Sequence, residues 1–439
     1  MCFAGEIWTC FCSKLNIERA NDMETYKNKL HGDGIHDDLP AIEERLNSGI
    51  KCLYLPCPKV NYLISGPITL HSGQELKIDR NARIVLMADS DSYMLKIGGQ
   101  NEYCEKVKVS GGIWDMNHNN QSPNPWHFPS PKTGKTGYEV LRERGVYPNI
   151  FPLPEEANGV NVKEVPEDIY TGHCMYFTNI KRLYIGDLTI VNPVVYGMSL
   201  YRVEDFTVEN IDFDYTEGSP KLWNMDGVHI YGYCRNGYVR NVKGACHDDA
   251  VALTADDSFK NGPIENITID GVYGEGSHSA VRLLSRLNYV RNVHITNIYG
   301  TFYTYTVVLS KYSDLPERSK FENINIDNIY ASICPGTVDC PGNTRPIIWI
   351  GDNIDIKNLN ISNLHRNETH NNNPTIEIYD GSTIDRLSVS NSTQISEIGG
   401  KISFIHNRGI INHLYLYNID IGNGELMAED GEVKNLSVI

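Results

Sequence analysis

A chain of 439 residues with 21% charged and 10% aromatic side chains has the composition of a folded protein rather than a disordered one. Its formal charge of -16 disfavours nucleic acid as a partner, and no apolar run approaches the roughly 18 residues that a membrane span needs. Strong hydrophobic alternation and 37 glycines suit one elongated repetitive body as well as two or three globular domains.

The first residues, MCFAGEIWTCFCSKLNIERAND, lack a basic segment followed by a continuous apolar run and a small-residue cleavage site. They do not read as a secretory signal, and residues 1–30 are expected to be an N-terminal extension. The cysteine count is odd, 11, and forms no compact framework. Neither Cys10 with Cys12 nor Cys334 with Cys340 has paired CxxC spacing, so the thiols read as mostly reduced and a cytoplasmic location is expected.

Next comes GDGIHDDLPAIEERLNSGI. Asp38 stands where an N-cap would, before Leu39 and Pro40, and a short amphipathic helix near 38–47 would turn Ile42 and Leu46 inward to cap a solenoid end. The pair Asp37 and Asp38 thus has a structural explanation. Residues 116–170 then break all periodicity. They are rich in Pro and Asn and carry Trp126, and a loop this long with aromatics is expected to be an ordered flap.

From residue 175 a column of apolar-x-apolar strands appears: Met175/Phe177, Met198/Leu200, Val228/Ile230, Val251/Leu253, Val281/Leu283, Val307/Leu309, Ile348/Ile350, Ile376/Ile378 and Ile402/Phe404. Their first members are 23 to 41 residues apart. Between them run alternating strands preceded by Asn266, Asn292, Asn323 and Asn358. Such periods with two-residue alternation predict an all-β fold, a β-solenoid of stacked coils about 4.8 Å apart. The asparagines would sit at left-handed turns and form amide ladders from coil to coil.

Polar residues align on the same frame. Upstream of three consecutive strands stand Asp226, then Asp248 and Asp249, then His278 and Ser279. On the outward parity stand His229, Arg282, Trp349 and Glu377, and Lys311 follows a strand end. Stacking therefore gathers three carboxylates and an imidazole. Their repulsion should raise at least one pKa, the arrangement a glycosidase uses, with one protonated carboxyl donating to a leaving oxygen while ionised ones activate water. An isolated Asp248–Asp249 pair would read as a turn; register with Asp226 and His278 favours chemistry. Asp256 and Asp257, which match nothing in neighbouring coils, read as solvated turn residues.

These residues resemble glycoside hydrolase family 28, the polygalacturonase and rhamnogalacturonan hydrolase group of the pectin-lyase-like right-handed parallel β-helix proteins. That family's motifs are NTD, an aspartate pair, GHG and RIK. The counterparts here are Asn224-Met225-Asp226, His247-Asp248-Asp249, Ser277-His278-Ser279 and Leu309-Ser310-Lys311. The likeness, which includes GDGIHDD, implies one β-helix domain over residues 31–439 and an inverting hydrolase that needs no cofactor or metal. It implies that Asp248 is the general acid, that Asp226 and Asp249 hold the hydrolytic water, and that His278 tunes the acid or binds sugar hydroxyls. The glycines around the histidine are serines here and the arginine of RIK is absent, which weakens the expectation of galacturonate specificity. Asn224, His229, Arg282, Lys311, Trp349 and Glu377 are the expected substrate-binding residues. Arg282 either replaces the missing charge or pairs with an aspartate, and Trp349 and Trp126 either stack on sugar or pack.

The expected partner is therefore an oligosaccharide or polysaccharide containing uronide, rhamnose or a related sugar, cleaved in exo fashion if the flap closes one cleft end. Nucleic acid and membrane are not expected; oligomerisation is left open. A calcium-dependent lyase or epimerase on the same scaffold is one alternative, and a non-catalytic glycan-binding or adhesive β-helix is another.

Overall fold

The computed structural model describes residues 18–19, 26–147, 165–166, 168–216, 221–257, 260–311, 317–336, 344–399 and 401–438. Every strand pairing among them is parallel, and strands away from the two ends bond to strands of the coils before and after them. The fold is a parallel β-helix. Its inward residues form one continuous core from Ile42 to Leu416, because a single coil can bury its Val, Ile and Leu only against its neighbours.

The pairing follows the expected column through Met175↔Met198↔Val228↔Val251↔Val281↔Val307↔Ile348↔Ile376. The last coil differs. Ile376 pairs with Ile405 rather than Ile402, and Glu377 with His406. Ile402, Phe404 and Ile405 are all buried, so alternation alone does not set the parity there.

The asparagine ladder is present. Asn266 Nδ2 donates to Asn236 Oδ1 at 3.0 Å, Asn292 to Asn266 at 3.0 Å, Asn323 to Asn292 at 2.9 Å and Asn358 to Asn323 at 2.9 Å. Asn266, Asn292 and Asn323 have φ of 59°, 54° and 55°, a region asparagine tolerates better than other side chains.

Helix α1 spans Leu39–Asn47 and contributes Ile42 and Leu46 to the core. Asp38 occupies the N-cap position but makes no capping bond. Its buried carboxylate instead accepts the backbone N–H groups of His31 and Gly32, while Asp37 accepts from Leu39 N. No helix among the described residues is long and apolar enough to cross a membrane. The seven cysteines among them are free thiols.

Part of the 116–170 segment lies outside the described residues, as does most of the expected 1–30 extension. The described part contains helix α2, Gly137–Glu143, started by a capping box between Thr136 and Glu139. Leu141 packs with Val146 and Ile169 in a small second core, and Trp126 bridges it to the main one. Trp126 thus packs, with Nε1 donating to Thr171 O at 3.2 Å and its ring 5.2 Å from that of Tyr138. His127 and Phe128 lie against Trp223 just before Asp226, at ring distances of 5.2 and 5.9 Å.

Candidate active site

The carboxylates converge because of register. Asp226 and Asp249 lie two residues ahead of the paired Val228 and Val251, and Asp249 pairs with Ser279, which pairs with Tyr305. Gly227 lets the chain approach closely there: a Cβ would fall 2.5 Å from both Ala250 O and the Phe213 ring. Asp248, one residue earlier, faces His278 from the next coil.

Each aspartate receives different partners. Asp249 is fully buried; its Oδ1 accepts from Ser279 Oγ at 2.6 Å and Tyr305 OH at 2.8 Å, and its Oδ2 lies 3.3 Å from Arg282 Nη1. Two hydroxyl donors thus converge on one oxygen, and a guanidinium stands beside the other. Asp248 is less enclosed, with His278 Nδ1 at 3.7 Å, and that same nitrogen bonds Ser279 Oγ at 3.0 Å. Burial, then the charge on Asp249, pushes the Asp248 carboxyl above its ordinary range against His278, Arg282 and His229. Asp226 is also held high, by burial and then by Asp248, with His229 pulling the other way.

His229 has the expected outward parity yet is 2% exposed. Its Nδ1 meets Asp226 Oδ2 at 2.6 Å, and its Nε2 meets Thr254 Oγ1 at 2.7 Å and Asp257 Oδ2 at 3.3 Å. The imidazole is stacked on Tyr196 at 4.2 Å, which in turn stacks on His173 at 4.5 Å. Both nitrogens are thus committed within the chain, so His229 braces Asp226 where direct sugar contact was expected.

The other expected substrate contacts all have partners within the chain. Asn224, left-handed at φ 54°, accepts from His127 Nε2 at 2.6 Å, which ties the strand leading to Asp226 to the 116–147 segment. Lys311 Nζ lies 3.7 Å from Asp352 Oδ2. Trp349 stands two coils beyond Arg282 on the same outward column, its ring 5.8 Å from Tyr305 and 5.6 Å from Tyr379, with the Arg345 guanidinium over it at 4.9 Å. Glu377, one coil further, pairs with Arg408 at 2.5 Å and lies 3.5 Å from His406; Arg408 also lies over the Tyr379 ring at 5.1 Å.

Sequence reasoning did not assign site roles to Ser279, Tyr305, Thr254, Asp257, Arg345, Tyr379 and Arg408. Extending the aspartate column one more coil would have reached Tyr305. Asp256 and Asp257 are not solvated: both are buried, and Asp256 Oδ2 accepts the backbone N–H groups of Arg286, Leu287 and Asn288, each at 2.8 Å.

Ligand atoms of Asp248, Asp249 and His278 lie within 4.8 Å of one another, a set that could hold a cation. A cation there would compete with the Arg282 guanidinium for Asp249. His31, Asp33 and His36 form a second set, but the two imidazoles are stacked 4.3 Å apart at 19°. Nearly parallel rings do not direct their in-plane lone pairs to one ion.

Residues 161–333, which hold every expected catalytic residue, match the model of glycosyl hydrolases family 28. Over that segment this β-helix chain is similar to family 28. No curated protein sequence matches it. Similar solved structures include an exopolygalacturonase from Thermotoga maritima, 17% identical with a TM-score of 0.58, covering 93% of this chain and 89% of that one. The polygalacturonase of Erwinia carotovora is 12% identical with a TM-score of 0.52, covering 92% and 94%. PfbA, a surface adhesin of Streptococcus pneumoniae, is 14% identical with a TM-score of 0.54, covering 93% and 91%. At these identities the shared property is the β-helix itself, and it extends well beyond the segment that the family 28 model matches.

Proposed function

We propose that this family 28-like protein is a glycoside hydrolase that cleaves an acidic glycan by direct displacement with inversion. Asp248 donates a proton to the leaving oxygen, Asp226 takes one from the attacking water, and Asp249 helps orient that water. The observation that carries this reading is the division of labour among three adjacent carboxylates. Asp249 receives Ser279, Tyr305 and Arg282, whereas burial and Asp249 favour a protonated Asp248. Neighbouring carboxyls placed in different surroundings, one of them pushed toward its protonated form, are what acid-assisted displacement requires.

Arg345 on Trp349 supports an acidic sugar as one substrate residue, since a guanidinium on an aromatic face offers donors to a carboxylate while the ring offers a sugar-stacking surface. The contacts of His127 and Phe128 with Asn224 and Trp223 support a closed cleft end and exo action. In the same reading residues 31–439 are one domain, the solenoid is right-handed, and α1 caps its N-terminal end.

The cation-capable set at Asp248, Asp249 and His278 favours one competing reading, a metal-dependent lyase or epimerase. Digestion of pectic, rhamnogalacturonan and host-glycan oligosaccharides with and without EDTA separates the two. A saturated product formed equally in EDTA supports hydrolysis. An unsaturated end or an epimerised sugar, lost on chelation, overturns it, and glycan binding without any product favours an adhesive protein.

A further inference from the structure

We infer that Asp257, acting through His229, makes Asp226 easier to ionise than burial beside Asp248 alone would leave it, and is therefore a positioning residue for the water-activating carboxylate. The inference rests on the hydrolase reading for the role of Asp226, and on geometry for the linkage.

Asp226, His229 and Asp257 form a continuous chain of buried polar groups, each 2 to 3% exposed. Nδ1 of His229 donates to Asp226 at 2.6 Å. Nε2 points at the Thr254 hydroxyl, which itself donates to Ile230 O at 3.4 Å and so receives the imidazole N–H, and at Asp257 Oδ2. Donation from both nitrogens is the pattern of an imidazolium. Burial opposes that charge; the bond to Asp226 and then the nearby Asp257 carboxylate outweigh burial and raise the pKa of His229.

The remaining neighbours do not replace Asp257. On the side of the preceding coil the ring faces Tyr196 and, beyond it, His173, which burial and then the Lys260 charge keep neutral. Tyr231 lies 4.4 Å away on the same strand. From the following coils Asp248 and Asp249 act on Asp226, both raising its pKa. From α2, Tyr138 faces Asp257, and burial and then that carboxylate keep the phenol protonated. With Asp257 neutralised, an enclosed imidazolium would retain one carboxylate partner, Asp226. The imidazole would then titrate lower, and Asp226, facing Asp248 without a full positive neighbour, would hold its proton to higher pH.

The adjacent residue shows that this is more than turn chemistry. Asp256 anchors the turn by accepting three backbone N–H groups at 286–288, while Asp257 aims into the site. The two aspartates divide structure from positioning.

The test compares wild type, Asp257→Asn and Asp257→Glu by the pH dependence of kcat/KM, and by NMR titration of His229 and of 13C-labelled aspartate carboxyls in the free protein. The expected result is an acid limb moved up by about one pH unit in Asp257→Asn, with the His229 titration moved down and both restored in Asp257→Glu. A limb that stays in place while activity falls at every pH, or a His229 titration unmoved by Asp257→Asn, would overturn the inference. If wild type cleaves no glycan, the hydrolase reading fails, while the NMR titrations still decide whether Asp257 controls Asp226.

Discussion

The hydroxyl of Tyr305 donates to Asp249 Oδ1 at 2.8 Å, joining residues 56 apart in sequence through two coils of stacking. With Ser279 on the same oxygen and Arg282 beside the other, it gives Asp249 the most complete set of donors among the three carboxylates. Removing the hydroxyl in Tyr305→Phe leaves the ring in place and takes one donor from a buried charge. A loss of about 1–3 kcal/mol of transition-state stabilisation, roughly 5- to 150-fold in kcat, is expected, with the melting temperature little changed. Steady-state kinetics beside thermal unfolding checks this; equal loss of fold and activity would place Tyr305 in packing alone.

The pH profile follows from the directions of the Asp226 and Asp248 shifts. Asp226 must be ionised to act as base, so activity rises as pH climbs through its raised pKa; Asp248 must be protonated to act as acid, so activity falls as pH climbs through its own. A bell-shaped kcat/KM profile is expected, with both limbs above the ordinary carboxylate range near about 4. The limbs belong to the interacting pair rather than to either residue alone. A profile flat from mildly acidic to mildly alkaline pH would contradict these roles.

Asp256 and Asp257 should separate in effect. Asp256→Ala leaves three backbone N–H groups without their acceptor, and a loss of about 3 kcal/mol in unfolding free energy is expected, read from the denaturant midpoint. Asp257→Asn should cost less stability and change the pH profile more.

Recognition of an acidic sugar predicts a selective defect. Arg345→Ala should raise KM about tenfold for a uronide-containing oligosaccharide, equivalent to about 1.4 kcal/mol, with a smaller effect on a neutral one. Trp349→Ala should weaken binding to both, because a ring face contributes to either sugar. Equal effects of Arg345→Ala on the two substrates would remove the acidic-sugar assignment.

Much of this architecture was legible in the sequence because a parallel β-helix repeats one problem, burying Val, Ile and Leu between coils, and so repeats one pattern from Met175 to Ile378. The same register predicted the meeting of Asp226, Asp248, Asp249 and His278. Periodicity was uninformative where three nearby apolar residues are all buried, as at Ile402, Phe404 and Ile405. It was also silent on direction: outward parity placed His229 on the open face, but Tyr196, Thr254 and Asp257 enclose it. Asp257 reaches the site through the path of a turn, and Arg345 through a segment between strands. Neither path is encoded in alternation.

The central claim is proton donation by Asp248 in a single displacement. Its most direct test is NMR of the first reducing end released from an α-linked acidic oligosaccharide, with wild type and Asp248→Asn side by side. The account predicts initial release of the β-anomer by wild type and a loss of several orders of magnitude in the variant, with substrate binding retained. Initial release of the α-anomer, or undiminished cleavage by Asp248→Asn, would contradict it.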